Sequence, residues 1–229
     1  MMFVRRLSAA AAFLVTLSLG SSAFATPINL VTNGDFSVGN TDFTSNYSYA
    51  TVPCSVHPDC AGEYTVGASP AAWFNEFVPT GDHTTGTGTM FLGNGSAAPD
   101  VVWETTVSGL TLNTTYFFEA WLMNICCSAQ VLPGPQLQFY ANDVLIGSGS
   151  TDTPGLWTGI STMWNSGADS TVVLQLRNAS TVFEGNDFAL DDVYLGTETS
   201  LTQTPVPEPA SMMLLGCGLV GLARRVRRR

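Results

Sequence analysis

The sequence predicts an all-β chain in which a single jelly-roll β-sandwich occupies residues 26–204, between two short apolar segments that lie outside the fold. Three observations predict it. Short runs of β-branched and aromatic residues recur through the middle of the chain, clusters of Gly, Asn, Asp, Pro and Ser separate them, and no amphipathic helix of useful length follows the first apolar segment.

In chain order, Arg5 and Arg6 precede an apolar stretch over 7–19 and an Ala23-Phe24-Ala25 site. That is the pattern of a signal peptide, 1–25, handled by the Sec translocon and signal peptidase. Strand-like runs then lie at 101–107, 115–123, 136–140, 157–164, 171–177 and 188–195. Where alternation can be tested, Val172, Leu174 and Leu176 share one face and Val173, Gln175 and Arg177 the other. Asn142-Asp143 sits between two such runs and reads as a hairpin turn. Eight to ten short strands with no linker-like break make one domain.

Near the C-terminus, Pro207-Glu208-Pro209 is followed by an apolar run over 210–223 and by Arg224, Arg225, Arg227, Arg228 and Arg229. As a helix the run reaches about 21 Å, short of the roughly 30 Å of a hydrocarbon core. The arginines that follow it are what a cytoplasmic membrane edge requires, so a transmembrane helix over 210–223 with a basic tail over 224–229 is expected. Arginines flank both apolar segments on the same side, which places the region between them across the inner membrane.

The exported region holds one cation, Arg177, against seventeen acidic residues, a formal charge of −16, and the chain has no lysine. Such a surface repels nucleic acid and anionic membrane; it suits calcium, neutral sugars or cationic partners. Four cysteines, Cys54, Cys60, Cys126 and Cys127, fall in the exported region, and three pairings are open. The local reading joins Cys54 to Cys60 and Cys126 to Cys127. Cross-links between the two loops are favoured here, because two loops fixed together gain more than a vicinal bridge. Cys54-x2-His57-x2-Cys60 also admits a zinc reading, which needs reduced thiols and a fourth ligand.

The tail 205–229 resembles the PEP-CTERM sorting signal of bacteria that make exopolysaccharide. The resemblance implies export, transient anchoring in the inner membrane, and processing by an exosortase that leaves the folded part at the cell surface or outside. A second resemblance rests on the segment from Asn29 to Ser37 at the start and Gly185 to Val193 at the end, with Gly86-Thr87-Gly88-Thr89-Met90, Val102-Trp103-Glu104 and Asn113-Thr114-Thr115-Tyr116 between them. These are similar to the galactose-binding-like sandwich of many carbohydrate-binding modules. That fold implies a meeting of first and last strands at a structural calcium, with Asp35 or a carbonyl around Asn33 and Gly34, together with Asp191 or Asp192, as the candidate ligands. Ser37 stands where such modules often carry a glutamate.

Sugar binding needs flat aromatic faces beside polar side chains. Trp73, Tyr47 and Tyr49 lie in the irregular first third and are the first candidates, with Arg177 as the one cation. Catalysis has little footing: no nucleophile elbow, zinc-protease helix, phosphate loop or catalytic cysteine signature is present, and His57 and His83 are the only histidines. The expected product is therefore a non-catalytic exported module that binds polysaccharide. The alternative is a structural matrix or protein-interaction module with no discrete sugar ligand.

Overall fold

The computed structural model describes residues 27–54, 60–127, 133–182 and 184–201, which lie in one compact unit, Pro27–Thr204. The signal peptide, the Pro207-Glu208-Pro209 motif, the helix expected over 210–223, the basic tail and His57 fall outside the described residues. Among the described residues no helix is long and apolar enough to cross a membrane.

Among the described residues ten strands form: β1 Ser48–Tyr49, β2 Glu63–Gly67, β3 Met90–Asn94, β4 Asp100–Ser108, β5 Thr115–Asn124, β6 Gln136–Ala141, β7 Val144–Ser150, β8 Thr158–Asn165, β9 Thr171–Asn178 and β10 Phe188–Gly196; the one helix among them, α1, is the single turn Pro70–Trp73. They build two sheets, ordered β1-β2-β3-β10-β5-β8 and β4-β9-β6-β7. All pairings are antiparallel except β1 with β2. The all-β sandwich expected from the sequence is observed.

Period-two alternation decides which side chains go between the sheets. Val172, Leu174 and Leu176 of β9 and Leu137, Phe139 and Ala141 of β6 are buried against Phe91, Phe118, Leu122, Phe188 and Leu190 of the larger sheet. Trp103 fills the middle of this layer and stacks at a tilt near Phe118, 6.3 Å between ring centres. Asn142 and Asp143 both take positive φ, +49° and +62°, which is the turn geometry that suits the twist of β6 and β7 and that Asn and Asp tolerate best.

The outer face of the larger sheet carries a second apolar layer. Met90, Leu92, Met123, Ile125 and Ala189 are covered by Ala50, Cys54, Cys60, Trp73, Phe74 and Phe77. The long segment before β3 is therefore folded onto the sheet, not extended into solvent. Cys54 pairs with Cys60 and Cys126 with Cys127. This corrects the expectation of cross-linked loops: Cys54 and Cys60 belong to the layer that covers the sheet, held there by the Cys54 N–H to the Trp73 carbonyl, whereas Cys126 and Cys127 leave the end of β5.

The two ends of the domain meet as expected. The Leu30 N–H donates to the Leu195 carbonyl, the Val193 N–H donates to the Gly34 carbonyl, and the Asn29 amide bridges Val193 and Leu195. Gly34 is required by this close approach, since a Cβ there would lie 2.0 Å from the Val193 carbonyl oxygen. After β10 the chain is gripped by Glu119 of β5, a fully buried carboxylate that accepts from the hydroxyls of Ser161, Thr199 and Ser200 and from the Ser200 N–H.

Candidate functional site

Among the described residues no further strand or helix stacks on the outer face of β4-β9-β6-β7. The alternation that turns leucines inward turns Gln175 and Arg177 of β9, Gln138 and Tyr140 of β6 and Glu104 of β4 outward. Register makes Glu104, Gln175 and Tyr140 one row across three strands, and Arg177 and Gln138 the next.

These groups form one connected array. The Gln175 Nε2 donates to Glu104 Oε2 at 2.5 Å, and the Gln175 Oε1 accepts from Arg177 Nε at 2.9 Å and from Arg177 Nη2. The same Nη2 donates to Asp143 Oδ1 at 2.5 Å in the turn after β6. The guanidinium carbon stands 4.0 Å from the centre of the Tyr140 ring, within cation–π range, and the Tyr140 hydroxyl donates to Gln138 Oε1 at 2.9 Å. Gln175 is buried at the centre of the array, and its hydrogen bonds together with the charge pairing lock the half-buried Glu104, Arg177, Gln138 and Tyr140, so a ligand meets these already ordered. The array offers amide, carboxylate and phenol groups on a rigid sheet, which is what a polyhydroxylated ligand can pair with.

Of the residues predicted from the sequence, only Arg177 belongs to this face, and it is paired with Asp143. Tyr47 is buried, its hydroxyl accepting from Asn178 Nδ2 and the Ser96 N–H. Tyr49 is 44% exposed on the β1 edge, with Tyr64 5.3 Å away between ring centres. Trp73 is buried in the outer apolar layer beside Phe77, and lies at the side of an open pocket of about 210 Å³ shared with Thr51, Val52, Pro53, Thr65 and Ser69. Tyr47 and Trp73 present no free ring face. The reason is that the segment carrying them, irregular by sequence, covers the sheet. Tyr140, Gln138, Gln175 and Glu104 were missed by sequence reasoning. The signal was the outward half of the alternation: Gln-x-Gln-x-Tyr in β6 and Gln-x-Arg in β9.

The three carboxylates expected around calcium do not form such a cluster among the described residues. Asp35 turns back to the N–H and hydroxyl of Ser37. Asp191 is fully buried; its Oδ2 accepts from the N–H groups of His83 and Thr84 and from the Thr84 hydroxyl, and its Oδ1 from the Asp192 N–H. Burial first, and the neighbouring Asp192 second, push its carboxyl up to about 7. A carboxylate surrounded by donors is suited to hold a loop, not a cation, so these residues do not fit calcium.

What Asp191 and Asp192 hold is the 82–89 loop. His83 Nδ1 lies 2.6 Å from Asp192 Oδ2, and the imidazole stacks on Trp121, 3.7 Å between ring centres, with Trp157 edge-on at 5.8 Å. Within the loop Asp82 accepts from the N–H groups of Thr85 and Gly88 and the Thr85 hydroxyl. Burial raises its carboxyl, but these hydrogen bonds together outweigh it and leave a net lowering.

Residues 205–229 match the model of the PEP-CTERM protein-sorting motif. No curated protein matches the chain. Among solved structures, a Stig cyclase from Fischerella sp. TAU matches with 13% identity, covering 74% of this chain and 96% of its own, at a TM-score of 0.50. TmCBM61, solved with β-1,4-galactotriose, matches with 13% identity over 75% of this chain and 99% of its own, at 0.45. The sugar-binding EclA C-terminal domain matches with 18% identity over 42% of this chain, at 0.37, and the chain spans 66% of that domain's length. The cyclase superposition establishes a shared sandwich fold, and the fold alone.

Proposed function

We propose that this chain is an exported, non-catalytic surface or matrix protein whose sandwich binds polysaccharide on the outer face of the four-stranded sheet. The sorting motif at 205–229 supports export and processing by an exosortase, with the apolar run 210–223 as a temporary anchor in the inner membrane. One observation carries the sugar reading. The outward side chains of β4, β9 and β6 are pre-ordered into a connected polar array around one aromatic ring, on a sheet face that no other described strand or helix covers.

The charge of the domain narrows the ligand class. With Arg177 already paired to Asp143 and sixteen further acidic residues in the exported region, an anionic polymer meets net repulsion, so the ligand is a neutral polysaccharide. Hydroxyls of such a chain pair with the free lone pairs of Glu104 and Asp143 and with the Gln138 amide, while a sugar ring packs on the Tyr140–Arg177 pair.

The test is a glycan array probed with the oxidised, folded sandwich, alongside Tyr140→Ala and Gln175→Ala. Saturable binding to neutral glycans, lost in both variants while their thermal unfolding stays near that of the parent chain, is the expected result. A blank array with folded protein sinks the proposal in favour of a structural or protein-interaction role.

A further inference from the structure

Cys126 and Cys127 lie where β5 leaves the larger sheet, and Asp187 enters β10 beside them. The two sulfurs and a carboxylate oxygen of Asp187 all lie within 4.8 Å of one another. Asp187 is fully buried. Its Oδ1 accepts from the Gly95 N–H, its backbone carbonyl accepts from the Ile125 N–H, and its Oδ2 has no hydrogen-bond partner. A buried carboxylate oxygen without a partner is costly, and nothing in the fold uses it. Cys126 is buried whereas Cys127 is half-buried, so a reagent from solvent reaches the pair at Cys127.

We propose that the Cys126–Cys127 disulfide is a redox-active centre that accepts two electrons from an external dithiol, with the Asp187 carboxyl as proton donor to the buried Cys126 sulfur. One sulfur of the dithiol, as its thiolate, attacks Cys127 Sγ and forms a mixed disulfide. The Cys126–Cys127 bond breaks, and its electron pair leaves on Cys126 Sγ, which takes the proton of Asp187. The second thiol of the reductant then attacks its own sulfur in the mixed disulfide and closes as a cyclic disulfide. The electron pair leaves on Cys127 Sγ, which takes up the proton of that second thiol. Solvent returns a proton to Asp187, equal to the one lost when the first thiol ionised. The dithiol is oxidised, the cysteine pair is reduced, and no other reactant is needed.

The carboxyl is tuned for this step. Burial pushes Asp187 up to about 7, with the Gly95 N–H pulling the other way. The groups the structure sets beside it carry no charge: Gly95 just after β3, Ile125, Cys126 and Cys127 just after β5, and its chain neighbours Asn186 and Phe188. A leaving thiolate in such surroundings is poor unless a proton arrives with it.

The experiment follows reduction of the purified full chain by dithiothreitol, quenched with an alkylating agent and mapped by mass for each disulfide, between pH 6 and 8. Rates are divided by the concentration of reductant thiolate. The normalised rate at Cys126–Cys127 is expected to fall about tenfold over this range, the change in protonated fraction of one group titrating near 7. The Asp187→Asn variant is expected to show a flat profile at or below the high-pH value of the parent chain. The small disulfide 2-hydroxyethyl disulfide, which carries no titratable group, serves as the reference in every sample. A variant that keeps the parent profile overturns the proposal. Should the variant not fold, the parent chain decides: a profile at Cys126–Cys127 parallel to that of 2-hydroxyethyl disulfide overturns it equally. Glycan binding has no part in this outcome.

Discussion

The buried Asp187 sets a direction for the pH dependence of stability. Its folded carboxyl titrates near 7, against about 3.9 for an unfolded aspartate. Between those values the folded state holds a proton that the unfolded state has lost. Unfolding then becomes easier by about 1.4 kcal/mol for each pH unit of rise. The contribution is fully present below pH 3.9, shrinks as pH rises, and is gone above 7. From pH 4.5 to 7 this amounts to about 3 kcal/mol from one group. The perturbation that isolates it is Asp187→Asn, because an amide oxygen keeps the Gly95 N–H and the amide nitrogen replaces an atom that has no partner. Urea unfolding of both chains, oxidised, across pH 4.5 to 7.5 gives the difference directly. The variant is expected to lose less stability as pH rises, so that the gap between the two curves changes by about 3 kcal/mol in its favour. Parallel curves would refute the assignment, whatever the remaining carboxylates do, since they are common to both chains.

Two further substitutions test how the ends of the domain are held. Gly34→Ala drives a methyl group into the Val193 carbonyl and is expected to destabilise the oxidised domain by about 3 kcal/mol, read by urea unfolding. Glu119→Ala strands the hydroxyls of Ser161, Thr199 and Ser200 and the Ser200 N–H, and is expected to cost about 3 kcal/mol and to speed proteolytic nicking after Gly196, read by mass mapping; an unchanged nicking rate would show that the grip is not needed.

Local chemistry was legible in the sequence and long-range packing was not. The alternation of β9 named its buried face correctly, and Asn142-Asp143 named its turn, because both are decided by neighbours along the chain. The ends of the domain were read as meeting, and they do, through backbone groups of Gly34 and Val193. Trp73 and Tyr47 are the first sugar-binding candidates because they lie in an irregular segment, yet a segment without period can still cover a sheet that is apolar on both faces. Met90, Leu92 and Met123 point outward from the larger sheet and are the reason it does. Aspartates drawn as cation ligands met instead the donors of a loop whose position only the fold fixes. The array around Tyr140 depends on register between β4, β9 and β6, which no single strand reveals.

The place of β10 bears on how the domain takes load. This strand lies in the interior of its sheet, between β3 and β5, and its C-terminal continuation is the route to the sorting motif. A tug on the tail first meets the Glu119 grip on Thr199 and Ser200, and then runs along β10, where rows of hydrogen bonds on two flanks resist sliding together. A terminal edge strand would peel one bond at a time. An interior strand shares the force between its two neighbours, so the domain resists a pull on its own C-terminal end.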